Sequence, residues 1–183
     1  MANSDIELVE RSKGGDNTAF DELVYRHQER VFVIAYHILG NAEDASDVQQ
    51  ETFVRAWTKI RDFRGKSAFP TWLHSIAVNI CLSKKRRKWT TRTESIEDAD
   101  RMPCIESIAT DQNRMINVIA VRELLDGMPL NHRVLLLLRE VEEMSIEEIA
   151  QVLGSSVDAV TKQLWRVRKT FRERLQQYME EVR

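Results

Sequence analysis

The chain has 183 residues, 43% of them hydrophobic and 31% charged, a balance met in folded helical proteins and too apolar for a chain that stays disordered. A formal net charge of −2 excludes a protein coated in cations, so nucleic-acid contact must come from local basic patches set against an acidic remainder. Only six Gly and three Pro interrupt long stretches in which apolar residues recur three and four apart, which predicts an all-α protein.

From Ser4 to Lys13 the pattern predicts a short helix, opened by a Ser4/Glu7 capping box and stopped at Gly14-Gly15. A second helix follows from Thr18 to Leu39, with Phe20, Leu23, Val24, Val31, Ile34, Ala35 and Ile38 in one stripe and Gly40 as its C-cap. Asn41 caps a third, which buries Ala45, Val48, Thr52, Phe53, Ala56, Trp57 and Ile60 and leaves Asp44, Asp47, Gln50, Glu51 and Arg55 on other faces. Beyond the loop Arg64-Gly65-Lys66-Ser67, Pro70 suits the first turn of a fourth helix, with Trp72, Leu73, Ile76, Ala77 and Ile80 inward. That helix closes in the basic run Lys84-Lys85-Arg86-Arg87-Lys88. Helices two to four are expected to share one core.

Between Thr90 and Gln112 the periodicity breaks down, and six acids (Glu94, Glu97, Asp98, Asp100, Glu106 and Asp111) face only Arg92 and Arg101, which reads as an acidic linker. Helical spacing resumes through Ile116, Ile119, Ala120 and Leu124 and breaks again at Gly127-Met128-Pro129. Asn131 is expected to cap a helix carrying Val134, Leu135, Leu138 and Val141. Ser145-Ile146-Glu147-Glu148 is a capping box for a short helix with Ile146, Ile149, Ala150 and Leu153 inward, ended by Gly154. Ser155 or Ser156 caps a last helix with the stripe Val157, Val160, Leu164, Val167, Phe171 and Leu175. The expected organisation is two small helical domains, at 1–89 and 115–183, joined by the linker at 90–114.

Three constellations carry chemistry. A short capped helix, a turn at Gly154 and a longer helix gathering Asp158, Thr161, Lys162, Trp165, Arg166 and Lys169 on its polar face make a helix-turn-helix pattern. An ordinary αα-hairpin is the alternative. The crowding of Lys162, Arg166, Arg168, Lys169 and Arg172 favours DNA, as phosphate neutralisation requires, while Trp165 fits a core position equally well. The second constellation runs from Phe63-Arg64-Gly65-Lys66-Ser67-Ala68-Phe69-Pro70-Thr71-Trp72 to Asn79 and the basic run. Aromatics among cations can stack unpaired bases and an amide can bond a base edge, yet taken alone Phe63, Phe69 and Trp72 read better as core and the basic run as a solvated helix end. The third is the face Asp44, Asp47, Gln50 and Glu51, for which solvation is the ordinary reading.

The segments Asp44-Ala45-Ser46-Asp47-Val48-Gln49-Gln50-Glu51-Thr52-Phe53-Val54-Arg55-Ala56-Trp57 and Phe63 to Leu73, with Ile76-Ala77 and Asn79, resemble region 2 of the extracytoplasmic-function sigma factors. Ser145 to Arg168 resembles their region 4, and the likeness runs in order from about Asp16 to Leu175. It implies a bacterial RNA polymerase subunit whose partners are core polymerase, promoter DNA and an anti-sigma factor, often membrane-bound, with no small-molecule substrate. The resemblance sets Asp44, Asp47, Gln50 and Glu51 against the polymerase clamp, reversing the solvation reading. It brings Arg64, Lys66, Ser67, Ala68 and Asn79 to a flipped −10 base and Lys84, Lys85, Arg86, Arg87 and Lys88 near the DNA backbone. Ser156, Asp158, Thr161, Lys162, Trp165, Arg166, Arg168, Lys169 and Arg172 become the candidate −35 contacts. Where many relatives carry Lys-Ser-Arg this chain has Thr161-Lys162-Gln163, and Pro70, Ser75 and Val78 replace commoner polar or basic residues, so the promoter sequence does not follow.

Two other readings stand beside this one. A free-standing helix-turn-helix regulator would use only the C-terminal half and would dimerise on a palindrome, leaving the acidic face and the aromatic loop without a purpose. A metalloenzyme would have to draw on Cys81, Cys104 and the four His, but HExxH, paired CxxC and a P-loop are all missing from the sequence. No enzyme activity, cofactor or metal is therefore expected, and the cysteines are expected to be buried or merely reduced thiols. With no run approaching the roughly 20 apolar residues of a membrane span, and no apolar core of a signal peptide, the expected compartment is the cytoplasm.

Overall fold

A computed structural model describes residues 4–91, 125 and 128–181, with 88–91 and 181 described in backbone alone. The chain divides into two compact units. The acidic linker, Cys104, and the stripe Ile116, Ile119, Ala120 and Leu124 lie outside the described residues.

In the N-terminal unit each helix starts where its capping chemistry dictates. Helix α1 (Asp5–Lys13) opens on the expected box: Ser4 Oγ accepts the Glu7 N–H at 3.3 Å, and the Glu7 carboxylate accepts the Ser4 N–H at 3.0 Å. Helix α2 (Asn17–Leu39) is capped by Asp16, which accepts the Ala19 N–H at 3.2 Å. Hydrogen bonds from the Thr18 hydroxyl and the Arg11 guanidinium hold the Asp16 carboxyl at about 2, below its ordinary 3.8. Gly40 closes α2, its N–H donating to the Tyr36 carbonyl. Asn41 then accepts the N–H groups of Glu43 and Asp44 at 2.8 and 3.1 Å and opens α3 (Ala42–Lys59), whose first-turn acids suit the positive end of the helix. A 3-10 turn at Ile60–Asp62 and a loop lead into α4 (Phe69–Thr91).

The stripes expected from spacing meet in one core that joins Leu8 and Val9 of α1, Phe20, Leu23 and Val31 of α2, Phe53 and Ala56 of α3, Ile60, and Phe69, Leu73 and Ala77 of α4. Thr52 is fully buried and donates its hydroxyl to the Val48 carbonyl at 2.6 Å, so its polar atom is satisfied inside the helix. Trp57 departs from the expected stripe. It lies about 100° around α3 from Ala56, at the rim of the core, where its ring tilts against Phe20 and stays 38% exposed. Helix α4 is buried on nearly every side, with Thr71, His74, Val78, Ile80, Cys81 and Lys85 joining Leu73 and Ala77, because α1, α2 and α3 all pack on it.

In the C-terminal unit α5 (Leu130–Leu136) continues as a π turn over Leu137–Val141, followed by α6 (Ile146–Leu153) and α7 (Val157–Glu181). Asn131 is not the cap: Pro129 holds that position, which suits a residue with no N–H to satisfy, and Asn131 falls inside the first turn. The π turn widens the helix end, which rotates Val141 out to 44% exposure. The Ser145/Glu148 box forms as expected, with bonds of 3.1 and 2.8 Å. Between α6 and α7, Gly154 has φ 60°, the left-handed conformation for which glycine carries no steric cost. Of the two candidate serines, Ser156 caps α7 by accepting the Ala159 N–H at 3.2 Å. Val160, Leu164 and Val167 are buried as expected, whereas Val157, in the first turn, is 45% exposed.

Glu143 has φ 53°, the one non-glycine residue at positive φ among the described residues. A left-handed L-residue costs about 1–2 kcal/mol, and the larger unfolded-state entropy of glycine removes about 0.5–1 of that gain. Glu143→Gly should therefore stabilise the protein by about 0.5–1 kcal/mol in urea unfolding. A net loss of stability would mean that contacts of the Glu143 side chain outweigh its backbone strain.

Candidate functional site

Helix α3 presents the acidic face to solvent. Asp47 and Glu51 are one turn apart, Gln50 is exposed beside them, and Arg55 Nη2 donates to Glu51 at 2.5 Å in an i,i+4 pair. The same side of the helix continues into Val54, 64% exposed, and Trp57, so the face is acidic at its N-terminal end and apolar at the other. Asp44 is only partly exposed. Lys84 of α4 reaches across to it: the amine lies 3.2 Å from Asp47 Oδ2 and 3.9 Å from Asp44 Oδ1. Spacing along the chain carried no sign of this pairing, because the partners are 37 residues apart.

The loop and the basic run share α4. Phe63, Phe69 and Trp72 form a ring cluster with centroids 4.9–6.1 Å apart, and Lys13 of α1 sits over the Phe63 ring at 5.7 Å. Phe69 is buried and the other two are packed on the core, so these rings brace the loop from within. Gly65 has φ 67°, which allows the tight turn that leaves Arg64, Lys66 and Ala68 exposed and Ser67 half-buried. Asn79 is exposed nearly three turns along α4, where its Nδ2 donates to the Ser75 carbonyl at 2.8 Å. The five-cation run is split by helical geometry: Lys84 turns to the α3 acids, Lys85 is 7% exposed, and Arg86 and Arg87 face solvent. The Lys88 side chain lies outside the described residues.

On α7 an exposed stripe runs through Asp158, Lys162, Trp165, Lys169 and Arg172, with Thr161 and Arg166 exposed on its flanks. Trp165 is 67% exposed, which settles its open position in favour of the surface, and Lys169 Nζ lies 5.7 Å above its ring. The cations are held lightly by neighbours one turn away, Lys162 by Asp158 at 3.4 Å and Lys169 by Glu173 at 3.8 Å. Arg168 is held otherwise. Its Nε and Nη2 both donate to Glu140 Oε1, at 3.1 and 2.6 Å, tying α7 to the π turn after α5, a contact the sequence pattern did not signal.

Cys81 carries no surface chemistry. It is fully buried in α4, and burial pushes its thiol up to about 12, which keeps it protonated and unsuited to nucleophilic or metal-binding work at neutral pH. No described helix is long and apolar enough to cross a membrane.

Comparison with known proteins identifies the family. The chain matches the family described as Sigma-70 region 2 over residues 23–91 and the family described as Sigma-70, region 4 over residues 119–171. It is 32% identical to an RNA polymerase sigma-H factor of Pseudomonas aeruginosa, covering 97% of each chain. It is likewise 32% identical to an ECF RNA polymerase sigma-E factor of Haemophilus influenzae, covering 96% of this chain and 97% of that one. Among solved structures, CnrH in complex with the cytosolic domain of CnrY aligns with a TM-score of 0.69 at 26% identity, over 95% of this chain and 98% of that chain.

In a Cys104→Ser background the Cys81 thiol should resist iodoacetamide at pH 8 in the folded protein and react fully in denaturant. Labelling of the native chain at the rate of a free thiol would show that α4 opens around it.

Proposed function

The chain belongs to the extracytoplasmic-function sigma factors of RNA polymerase, and from that premise we propose how its surfaces divide the work of promoter recognition. Residues 1–89 serve as the unit that docks on core polymerase and handles the −10 element, 90–114 as a linker, and 115–183 as the unit that reads the −35 element. The protein acts as a specificity subunit with no catalytic step of its own, in the cytoplasm. It is held in check by an anti-sigma factor, as the seating of CnrH on the cytosolic domain of CnrY suggests.

The observation that carries the division is the separation of opposite charges onto different helices of a chain with little net charge. Asp44, Asp47, Gln50 and Glu51 on α3 face the polymerase, with Val54 and Trp57 continuing that surface. The loop residues, exposed Arg64, Lys66 and Ala68 and half-buried Ser67, together with Asn79, meet unpaired −10 bases, while Arg86 and Arg87 neutralise phosphates. On α7, Ser156, Asp158, Thr161, Lys162 and Trp165 lie at the N-terminal end, which enters a major groove in helix-turn-helix proteins, and Arg166, Lys169 and Arg172 follow toward the backbone.

Charge reversal tests the polymerase face. Asp47→Arg with Glu51→Arg should abolish retention of the protein by purified core enzyme while the helical circular-dichroism signal is kept; because the two acids pair with Lys84 and Arg55, the reversal should also lower stability by up to about 1 kcal/mol per lost pair. Undiminished retention would sink the assignment of α3. For α7, Lys162→Ala should reorder preference among −35 variants by roughly 1–3 kcal/mol, whereas Arg172→Ala should weaken holoenzyme binding to all of them alike and reduce the salt slope by about one. An unchanged ranking with Lys162→Ala would move base reading to Asp158, Thr161 or Trp165.

A further inference from the structure

Within the described basic run, Lys84 turns its charge toward the acids of α3. Its side chain is 20% exposed and bridges two helices, meeting Asp47, 63% exposed, at 3.2 Å and Asp44, 22% exposed, at 3.9 Å. Asp44 and Asp47 are three residues apart on α3, with Glu43 and Glu51 on the same helix, so like charges crowd one surface and repel. A cation from the neighbouring helix relieves that repulsion and fixes the carboxylates in one arrangement. For Lys84 to reach a DNA phosphate it would have to give up both carboxylates that it bridges, which opposes the move.

We propose that Lys84 is a positioning residue for the polymerase-binding face and not a contact to promoter DNA. The proposal rests on the assignment of the α3 acids to core polymerase. Lys84 engages one oxygen, Oδ2, of Asp47. A carboxylate has about four lone-pair sites, so the outward oxygen still accepts a bond from a cationic partner. Holding the rotamer before the encounter removes an ordering cost of about 0.7–1.4 kcal/mol for this side chain, equivalent to about 3–10-fold in affinity. The helix that presents Asn79 and the exposed Arg86 and Arg87 thereby also sets the geometry of the acids on α3, and the two binding surfaces of this unit share one side chain as a strut.

The test uses the full chain and two measurements: affinity of a labelled protein for purified core enzyme, and the salt dependence of its binding to mixed-sequence single-stranded DNA. Lys84→Met keeps the apolar stem and removes the charge. It should weaken core binding about 3–10-fold and leave the salt slope at its parent value, while Arg86→Ala with Arg87→Ala lowers that slope by about 0.7 per lost phosphate contact. Lys84→Arg should restore core affinity. Combining Lys84→Met with Asp47→Asn should weaken core binding no further than Asp47→Asn alone, because both remove the same contact. Core binding that is unchanged or tighter with Lys84→Met, or a salt slope lowered by that change, overturns the proposal. Failure of Asp47→Asn to affect core binding would instead sink the polymerase assignment of α3, whereas an effect at Asp47 with none at Lys84 sinks only the positioning role.

Discussion

Helix α4 enters the N-terminal core with Phe69, Leu73, Ala77, Val78, Ile80 and Cys81 at 4% exposure or less, and leaves it as a run of cations. Each large apolar side chain fully buried there contributes about 1.5–3 kcal/mol, far more than any ion pair on the surface. That burial fixes the rotation of the helix about its axis, and the rotation decides the rest. With successive residues about 100° apart, Lys84 must point at α3, Lys85 inward, and Arg86 and Arg87 away, while Asn79 comes out on the exposed side. A basic run that looks uniform in the sequence is thereby divided into a strut, a buried cation and two exposed ones.

The charges of the C-terminal unit follow a different logic. Lys162 and Lys169 are paired with acids one turn away on the same exposed helix, at distances of 3.4 and 3.8 Å. Such exposed pairs contribute a few tenths of a kcal/mol each and hold their cations weakly. Arg168 is bound through two nitrogens to Glu140 from a different element. Its guanidinium anchors α7 to the π turn.

What could be read from the sequence divides along the same line between local and distant causes. The boxes at Ser4/Glu7 and Ser145/Glu148, the Asn41 cap and the closure of α2 at Gly40 depend on residues within four positions of one another, and all form as the sequence predicts. The buried stripes held at their centres and failed at their edges: Trp57, Val141 and Val157 satisfy the spacing rule, yet each sits where the packed partner ends or the helix changes form. Asn131 failed for a related reason: the helix starts upstream of it, with Pro129 at the cap position and no side-chain cap bond, so Asn131 falls inside the first turn. Lys84 with Asp47 and Arg168 with Glu140 are 37 and 28 residues apart, and no periodicity encodes a contact of that kind.

The turn between α5 and α6 shows how such distant contacts sustain an unfavourable backbone. The π turn leaves helix-end carbonyls that ordinary α-helical bonding does not serve, and the chain satisfies them by longer reaches: Glu142 N–H to the Leu137 carbonyl and Met144 N–H to the Leu138 carbonyl, both at 3.0 Å. Glu143 enters the left-handed region between them. Arg139 then donates to the Met144 carbonyl at 2.6 Å, and Glu140 receives Arg168 from α7. The strained residue is enclosed by bonds from both sides, so its cost is offset by partners that could not meet if the helix ran on regularly. Because the same turn launches Ser145 into its capping box and holds Arg168 of the last helix, it sets the α5–α6 entry angle and anchors α7 together.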